Sequence, residues 1–334
     1  VQRPLVAAAL ALALAALAGC ATRAPGPAPF AWQAVHGRDH PLTGRIRDVA
    51  GGAWIGEGEL RAALARADLV LLGERHDHPD HHALQARLLD ALVAAGRRPA
   101  VAFEMLDADQ APAVAAAQAR AGAAAARAAA LRAGVGWDES GWPAWALYAP
   151  VFESALAADL PIVAANLPRA ERTAIARGGL AALPPARRAA LALDAPPDPA
   201  ERDALVEQIR EAHCGHAPEA ALERMVDVQR AWNAQLARSL ADAAEGTPAG
   251  VGGAVLIAGN EHVRRDRGAP RWLARFAPGA RVAAVGLVEV DPADPAPPPD
   301  LAAPFDYVWY TPRLDLEDPC ERYRESLESL REER

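Results

Sequence analysis

The sequence predicts an α/β fold, a mostly parallel sheet flanked by helices, with an inserted helical lobe. Two observations carry that reading. Short apolar runs at residues 69–72, 99–105, 161–166, 254–258 and 281–290 alternate with stretches of helical periodicity, the pattern of strands joined by helical crossovers. Four of those runs also end in polar groups: Glu74 and His76, Glu104, Asn166 and Arg169, and Asn260 and His262. Parallel strands would bring these ends to one rim, the carboxyl edge where open α/β sheets bind ligands.

The 334 residues suffice for one large domain or two small ones. The chain is 51% hydrophobic but only 5% aromatic; alanine carries much of the apolar content, so helices should be many and closely packed. Every basic residue is arginine, and the net charge of -8 leaves no basic footprint for nucleic acid. Residues 1–20 read as a lipoprotein signal peptide. Arg3 precedes an apolar run at 5–18, too short for a membrane span, that closes in Leu17-Ala18-Gly19-Cys20. Cys20 is the expected lipidation site, and Ala21 behind it, in place of an aspartate, points to an anchor in the outer membrane, facing the periplasm. Residues 21–43, rich in Pro, Ala and Gly, read as a tether. Residues 44–334 form the α/β domain, with helical insertions at about 107–160 and 170–250. An oxidising compartment permits a Cys214–Cys320 bridge; two separate buried thiols are the other reading.

In chain order, residues 45–60 hold Ile46, Val49 and Trp54 between glycines and fit a short hairpin or an edge strand. Residues 57–67 read as a helix leading into the first strand, 69–72. Gly73 ends that strand, and Pro79 suits the first turn of a helix that His78 or Asp77 would cap. The helix extends over 81–95, with Leu84, Leu88 and Leu92 on its apolar face and Gly96 at its end. His81 and His82, in its first turn, either face the cleft or satisfy the helix terminus. The strand at 99–105 carries Glu104 at its carboxyl end. Residues 107–133 are alanine-rich and helical. Residues 134–150 break that helix, with Trp137, Trp142, Trp145 and Tyr148 close together, and a short helix at 151–159 leads to the strand at 161–166. From 169 to about 245 only helices are expected, interrupted by proline loops at 184–185 and 196–199. The longest, 219–244, carries Gln229 and Asn233 one turn apart, lining the cleft or facing solvent. The strand at 254–258 ends in a second Gly-x-x-His. A helix around Trp272, a strand at 281–290, a proline-rich loop at 291–304, a last strand at 306–310 and a charged helical tail at 321–334 complete the chain.

Glu74, His76, Glu104 and His262 offer two carboxylates and two imidazoles at the expected rim, a donor set for a divalent metal ion with an open position. Such an ion would activate water, with Glu74 or Glu104 as the general base of a metal-dependent hydrolase. In the competing reading these side chains hydrogen-bond one another and cap helices. One Gly-x-x-His alone favours the second reading; two matched ones with Glu104 between them favour a functional site.

Five separated motifs occur in order: Leu72-Gly73-Glu74-Arg75-His76-Asp77, Phe103-Glu104-Met105, Asn166-Leu167-Pro168-Arg169, His213-Cys214-Gly215-His216 and Gly259-Asn260-Glu261-His262-Val263-Arg264. Together they resemble the ChaN family of bacterial lipoproteins, over about residues 44–313. The resemblance implies haem binding and haem or iron uptake by a binding module, not a catalyst. It also implies kinship with the Tiki metalloproteases and the erythromycin esterases, which keeps the metal-dependent hydrolase as the alternative. By analogy with the family the axial haem ligand would be a tyrosine. Tyr148, in Trp145-Ala146-Leu147-Tyr148-Ala149-Pro150, is the candidate, against an aromatic core residue with a satisfied hydroxyl. Arg169, Arg264 and Arg265 would pair with the propionates. His213 would contribute to the cofactor site, or belong to a loop that caps it. The partners so implied are haem, the membrane through the lipid anchor, an outer-membrane haem receptor and, where haem is shared, a second copy of the chain.

Overall fold

The computed structural model describes residues 30–248, 250–294, 304–325, 327 and 328. The expected signal peptide with Cys20, and residues 21–29 of the tether, lie outside the described residues. So do 295–303 of the proline-rich loop and residues 326 and 329–334 of the charged tail.

Eight strands form one sheet: β1 (Ile46–Asp48), β2 (Ala53–Ile55), β3 (Leu69–Glu74), β4 (Ala100–Asp107), β5 (Ile162–Asn166), β6 (Ala254–Gly259), β7 (Val282–Glu289) and β8 (Tyr307–Thr311). Their order is β2-β1-β8-β7-β3-β6-β4-β5. From β8 to β5 every neighbouring pair is parallel, and β1 pairs antiparallel with both β8 and β2. The sheet is therefore mostly parallel, as expected, and residues 45–60 form a hairpin that is also the sheet edge. β3 and β6 are buried along their whole length, which is why both read as unbroken apolar runs. These elements belong to one unit, Trp32–Arg334; the other, Val1–Ala31, is described only at Phe30 and Ala31.

The helices are α1 (Glu57–Arg66), α2 (Pro79–Ala94), α3 (Ala111–Gln118), α4 (Ala124–Gly134), α5 (Trp145–Ala157), α6 (Arg169–Gly178), α7 (Pro185–Ala190), α8 (Pro199–Ala212), α9 (Glu219–Glu245), α10 (Asn260–Val263), α11 (Ala269–Phe276) and α12 (Pro319–Arg322). Side chains alternate across a strand, so each face of the sheet has its own cover. On one face Phe103 of β4 stacks on Phe152 of α5, ring centres 4.0 Å apart. On the other, Leu69, Leu71, Leu256 and Ala258 share a core with Ala234, Ala237 and Leu240 of α9 and with Trp272 of α11. Among the described residues no helix is long and apolar enough to cross a membrane.

Two local expectations change, and the open choice at the cysteines is resolved. The helix at 107–133 splits into a short turn, α3 and α4, with Gly122 at φ 121° in the gap, a backbone angle that favours glycine. Residues 145–150 do not break a helix but begin α5, with Pro150 inside it. Proline there forfeits one backbone hydrogen bond, and burial of Trp145, Tyr148, Val151 and Phe152 outweighs that loss. Cys214 and Cys320 are bonded, with their Cα atoms 5.8 Å apart, so the loop between α8 and α9 is tied to α12. The α8–α9 hairpin has a small core of its own, built on Leu205, Ile209, Leu222 and Val226.

Candidate functional site

Glu74 is the last residue of β3, and the parallel register sets it opposite Gly259 at the end of β6. A Cβ on Gly259 would stand 2.9 Å from Cε1 of His76, so the glycine of the second Gly-x-x-His makes room for the histidine of the first. Past the strand, His76 turns back and its Nδ1 lies 2.6 Å from Glu74 Oε1. The turn is fixed by buried histidines. The Arg75 N–H donates to Nδ1 of His81 (2.9 Å), and Nε2 of His81 then donates to Thr311 Oγ1 (2.9 Å). Nε2 of His82 meets the His76 carbonyl at 3.0 Å. His78 caps α2 by accepting from the Asp80 N–H, and its ring stacks on His81 at 3.9 Å. His81 and His82 thus satisfy the helix terminus and the turn; both are fully buried.

Glu104 lies on β4, its carboxylate 1% exposed. Its Oε2 accepts from the Gly259 N–H at 2.7 Å, and its Oε1 is 3.3 Å from Nε2 of His262 on α10. Nδ1 of His262 donates to Asn233 Oδ1 of α9 (2.7 Å), whose amide nitrogen donates to the Arg267 carbonyl. Trp232 lies 5.1 Å from the His262 ring, and the Arg172 guanidinium is 5.1 Å from the Trp232 ring.

The two Glu–His pairs set the electrostatics of the rim. Burial alone would raise the Glu104 carboxyl; His262, His76 and the Gly259 N–H outweigh it and hold the group down to about 2. Burial likewise opposes charge on His76, but Glu74, Glu104 and Asp77 push that imidazole up to about 10. Around these pairs, Glu74 Oε2, Asn166 Nδ2 and Trp232 Nε1 are buried without a hydrogen-bond partner. Such orphans are rare in folded proteins, and with Asn260 Oδ1 four of them lie at the ends of β3, β5 and β6 and beside His262.

Residues 60–273 match the family model described as haem-binding uptake, Tiki superfamily, ChaN. The chain belongs to the ChaN family. Among solved structures, ChaN of Campylobacter jejuni, reported with cofacial haem binding, is 23% identical with a TM-score of 0.59; the match covers 79% of this chain and 95% of that one. The shared fold is what this likeness shows. The type III effector HopBA1 is 13% identical over 76% of this chain and 91% of that one, with a TM-score of 0.36. A succinoglycan biosynthesis protein is also 13% identical, over 70% and 68%, with a TM-score of 0.36, and neither likeness bears on function. No curated protein matches the chain.

In this ChaN family member the rim brings together Glu74, His76, Glu104 and His262, as the strand ends implied. Their donor atoms are turned onto one another, Glu74 to His76 and Glu104 to His262, and not onto a common centre. Among the described residues no group of three or more His, Cys, Asp or Glu is arranged to hold a metal ion, so the donor set does not fit a divalent cation. Tyr148 is fully buried. Its hydroxyl donates to the His76 carbonyl (3.3 Å), and its ring packs on His82 (4.0 Å) and Trp137 (5.1 Å). Burial and the Glu74 and Glu104 charges push its phenol pKa up and keep the hydroxyl protonated. The exposed ring at the rim is that of His76, with 40% of its side chain open and Trp142 edge-on at 5.0 Å. Beside it a cavity of about 270 Å³ is lined by Met105, Val135, Trp142, Arg169 and Arg172, together with the carboxylates of Asp107 and Glu139.

Arg169 is exposed on that cavity, while Arg172 is bound to Asp107 at 2.7 Å. Arg264 is engaged by Asp266 (2.7 Å) and Arg265 by Asp306 (2.6 Å), so both are taken up in ion pairs. His213 is not gathered at the rim. Its Nδ1 donates to the Ile209 carbonyl of its own helix at 2.7 Å. Asn233 does line the cleft, through His262. Sequence reasoning misses Trp232 and Trp142 as rim residues; the one signal for Trp232 is its place beside Asn233, and Trp142 reads in the sequence as part of a packing cluster.

Proposed function

We propose that this chain binds haem at the carboxyl rim of its sheet and serves in haem or iron uptake. The family supports the ligand class, and one observation carries the site: the exposed His76 ring, its Nδ1 held by Glu74 at 2.6 Å and its Nε2 left without a hydrogen-bond partner. An imidazole that gives its other N–H to a carboxylate is the arrangement in which metal-ligating histidines are oriented and made more basic. The surroundings fit the group. Met105, Val135 and Trp142 supply apolar wall, and Arg169 supplies a cation for a propionate. Bound haem would bring an iron that takes an axial ligand and two propionate carboxylates. His76 would be that ligand, giving up its Nε2 proton on binding, in place of Tyr148, whose hydroxyl is inside the fold and bonded to the His76 carbonyl.

Haemin titration followed at the Soret band tests the reading. The protein is expected to saturate at a fixed haem-to-chain ratio, His76→Ala to lose saturable binding, and Tyr148→Phe to keep it. Loss in Tyr148→Phe with retention in His76→Ala would return the ligand to the tyrosine. No saturable change in the unaltered protein would remove the haem reading. The Leu17-Ala18-Gly19-Cys20 motif supports a lipid anchor, and the Cys214–Cys320 bridge supports an oxidising compartment such as the periplasm. Incorporation of labelled fatty acid, abolished by Cys20→Ser, is the expected result; undiminished labelling would rule out that cysteine.

A further inference from the structure

A second cavity, about 130 Å³, lies where the start of α8 meets α9 and α11. Three arginines line it: Arg230 from α9, and Arg271 and Arg275 from α11. Arg230 is 5% exposed, so its guanidinium has been taken out of water. No carboxylate meets it. Its Nη2 donates to the Ala195 carbonyl (2.9 Å), and its Nε is buried with no partner. Arg275 likewise reaches only a carbonyl, that of Ala192 (3.3 Å). Trp272 lies between them, its ring centre 5.9 Å from the Arg230 guanidinium and 5.6 Å from that of Arg275.

The acidic residues of the cavity are already used. Glu201 pairs with Arg271 at 3.1 Å. Asp198 caps α8, accepting from the Ala200 and Glu201 N–H groups at 2.9 and 3.3 Å. Three arginines against the carboxylates of Asp198 and Glu201 leave the cavity one cation in excess, and the buried Arg230 has no carboxylate in contact. A buried charge without a counter-charge is costly, and guanidinium forks match oxygen anions bidentately. Burial, with Arg275 adding to it, pulls the Arg230 pKa down against the pull of Asp227 and Glu201, the direction expected of a cation short of a partner.

We propose that this cavity is a binding site for a small oxyanion, a phosphate or a carboxylate, held by Arg230 and Arg275 with Arg271 at its edge. It is built from other residues than the rim and does not depend on haem. Calorimetric titration of the protein with inorganic phosphate, and separately with acetate, at low ionic strength tests it and distinguishes the two classes. At least one of them is expected to bind saturably at one site. Arg230→Gln removes a charged hydrogen-bond donor and is expected to weaken that binding about tenfold or more. Arg275→Gln, at an exposed position that leaves the core intact, is expected to weaken it similarly. Arg132→Gln, which breaks only the exposed pair with Asp138, should leave it unchanged. No saturable binding of either anion, or binding that survives both cavity variants, would overturn the proposal.

Discussion

The two Gly-x-x-His strand ends share a sequence pattern and differ in what holds the histidine. His76, after β3, has a carboxylate on Nδ1, an unpartnered Nε2 and 40% of its side chain in solvent. His262, after β6, has the Asn233 amide on Nδ1, the Glu104 carboxylate at Nε2 and 9% of its side chain exposed. The first histidine is held from behind and open in front. The second is held on both nitrogens and serves to keep Glu104 charged. A motif repeated in sequence has therefore been split between a ring open to solvent and a closed ring held on both nitrogens.

The largest expected effect lies in the acids. Glu104→Ala leaves His262 and the Gly259 N–H facing an empty, buried space and should cost about 3–5 kcal/mol in urea unfolding. Glu74→Ala should cost less, because its partner ring reaches water and one of its oxygens is unpartnered already. Equal losses would break the distinction. Next is Gly259→Ala. Its methyl would press on the His76 ring, so a loss of about 1–3 kcal/mol is expected, with displaced His76 ring resonances by NMR. Unmoved resonances would show that the two motifs do not touch. Asn233→Ala removes one hydrogen bond from His262 and should cost about 1 kcal/mol, with haem binding unchanged.

The two rings also predict opposite pH limbs. Glu104, held at about 2 against an ordinary 4.5, contributes stability that is fully present above 4.5 and lost as pH falls through 2. His76, raised to about 10 against an ordinary 6.5, contributes stability that is fully present below 6.5 and lost as pH rises through 10. Chemical unfolding across pH should thus show a flattened acid limb in Glu104→Gln and a flattened alkaline limb in His76→Gln. Unaltered limbs would contradict the pairing.

The sheet and the rim are legible in the sequence because buried parallel strands leave unbroken apolar runs, and polar residues directly after them have one place to go. That logic places Glu74, His76, Glu104 and His262 together. It fails for residues whose role depends on packing between distant elements. Nothing local shows that the Tyr148 hydroxyl is taken up by the His76 carbonyl, or that Trp142 edges the site and not the core. Pro150 reads as a breaker, and only the buried face of α5 shows why it is tolerated. The Cys214–Cys320 pairing spans 106 residues, and spacing alone does not decide it. Arginines mislead in the same way: Arg264 and Arg265 are taken up by carboxylates, while Arg230, unremarkable in sequence, is buried without one.

The most direct test compares haemin titrations of His76→Ala and His262→Ala, each first shown to be folded by circular dichroism. The open-ring account predicts loss of the saturable Soret change in His76→Ala and its retention in His262→Ala. Retention in His76→Ala with loss in His262→Ala would contradict it and assign the ligand role to the closed ring.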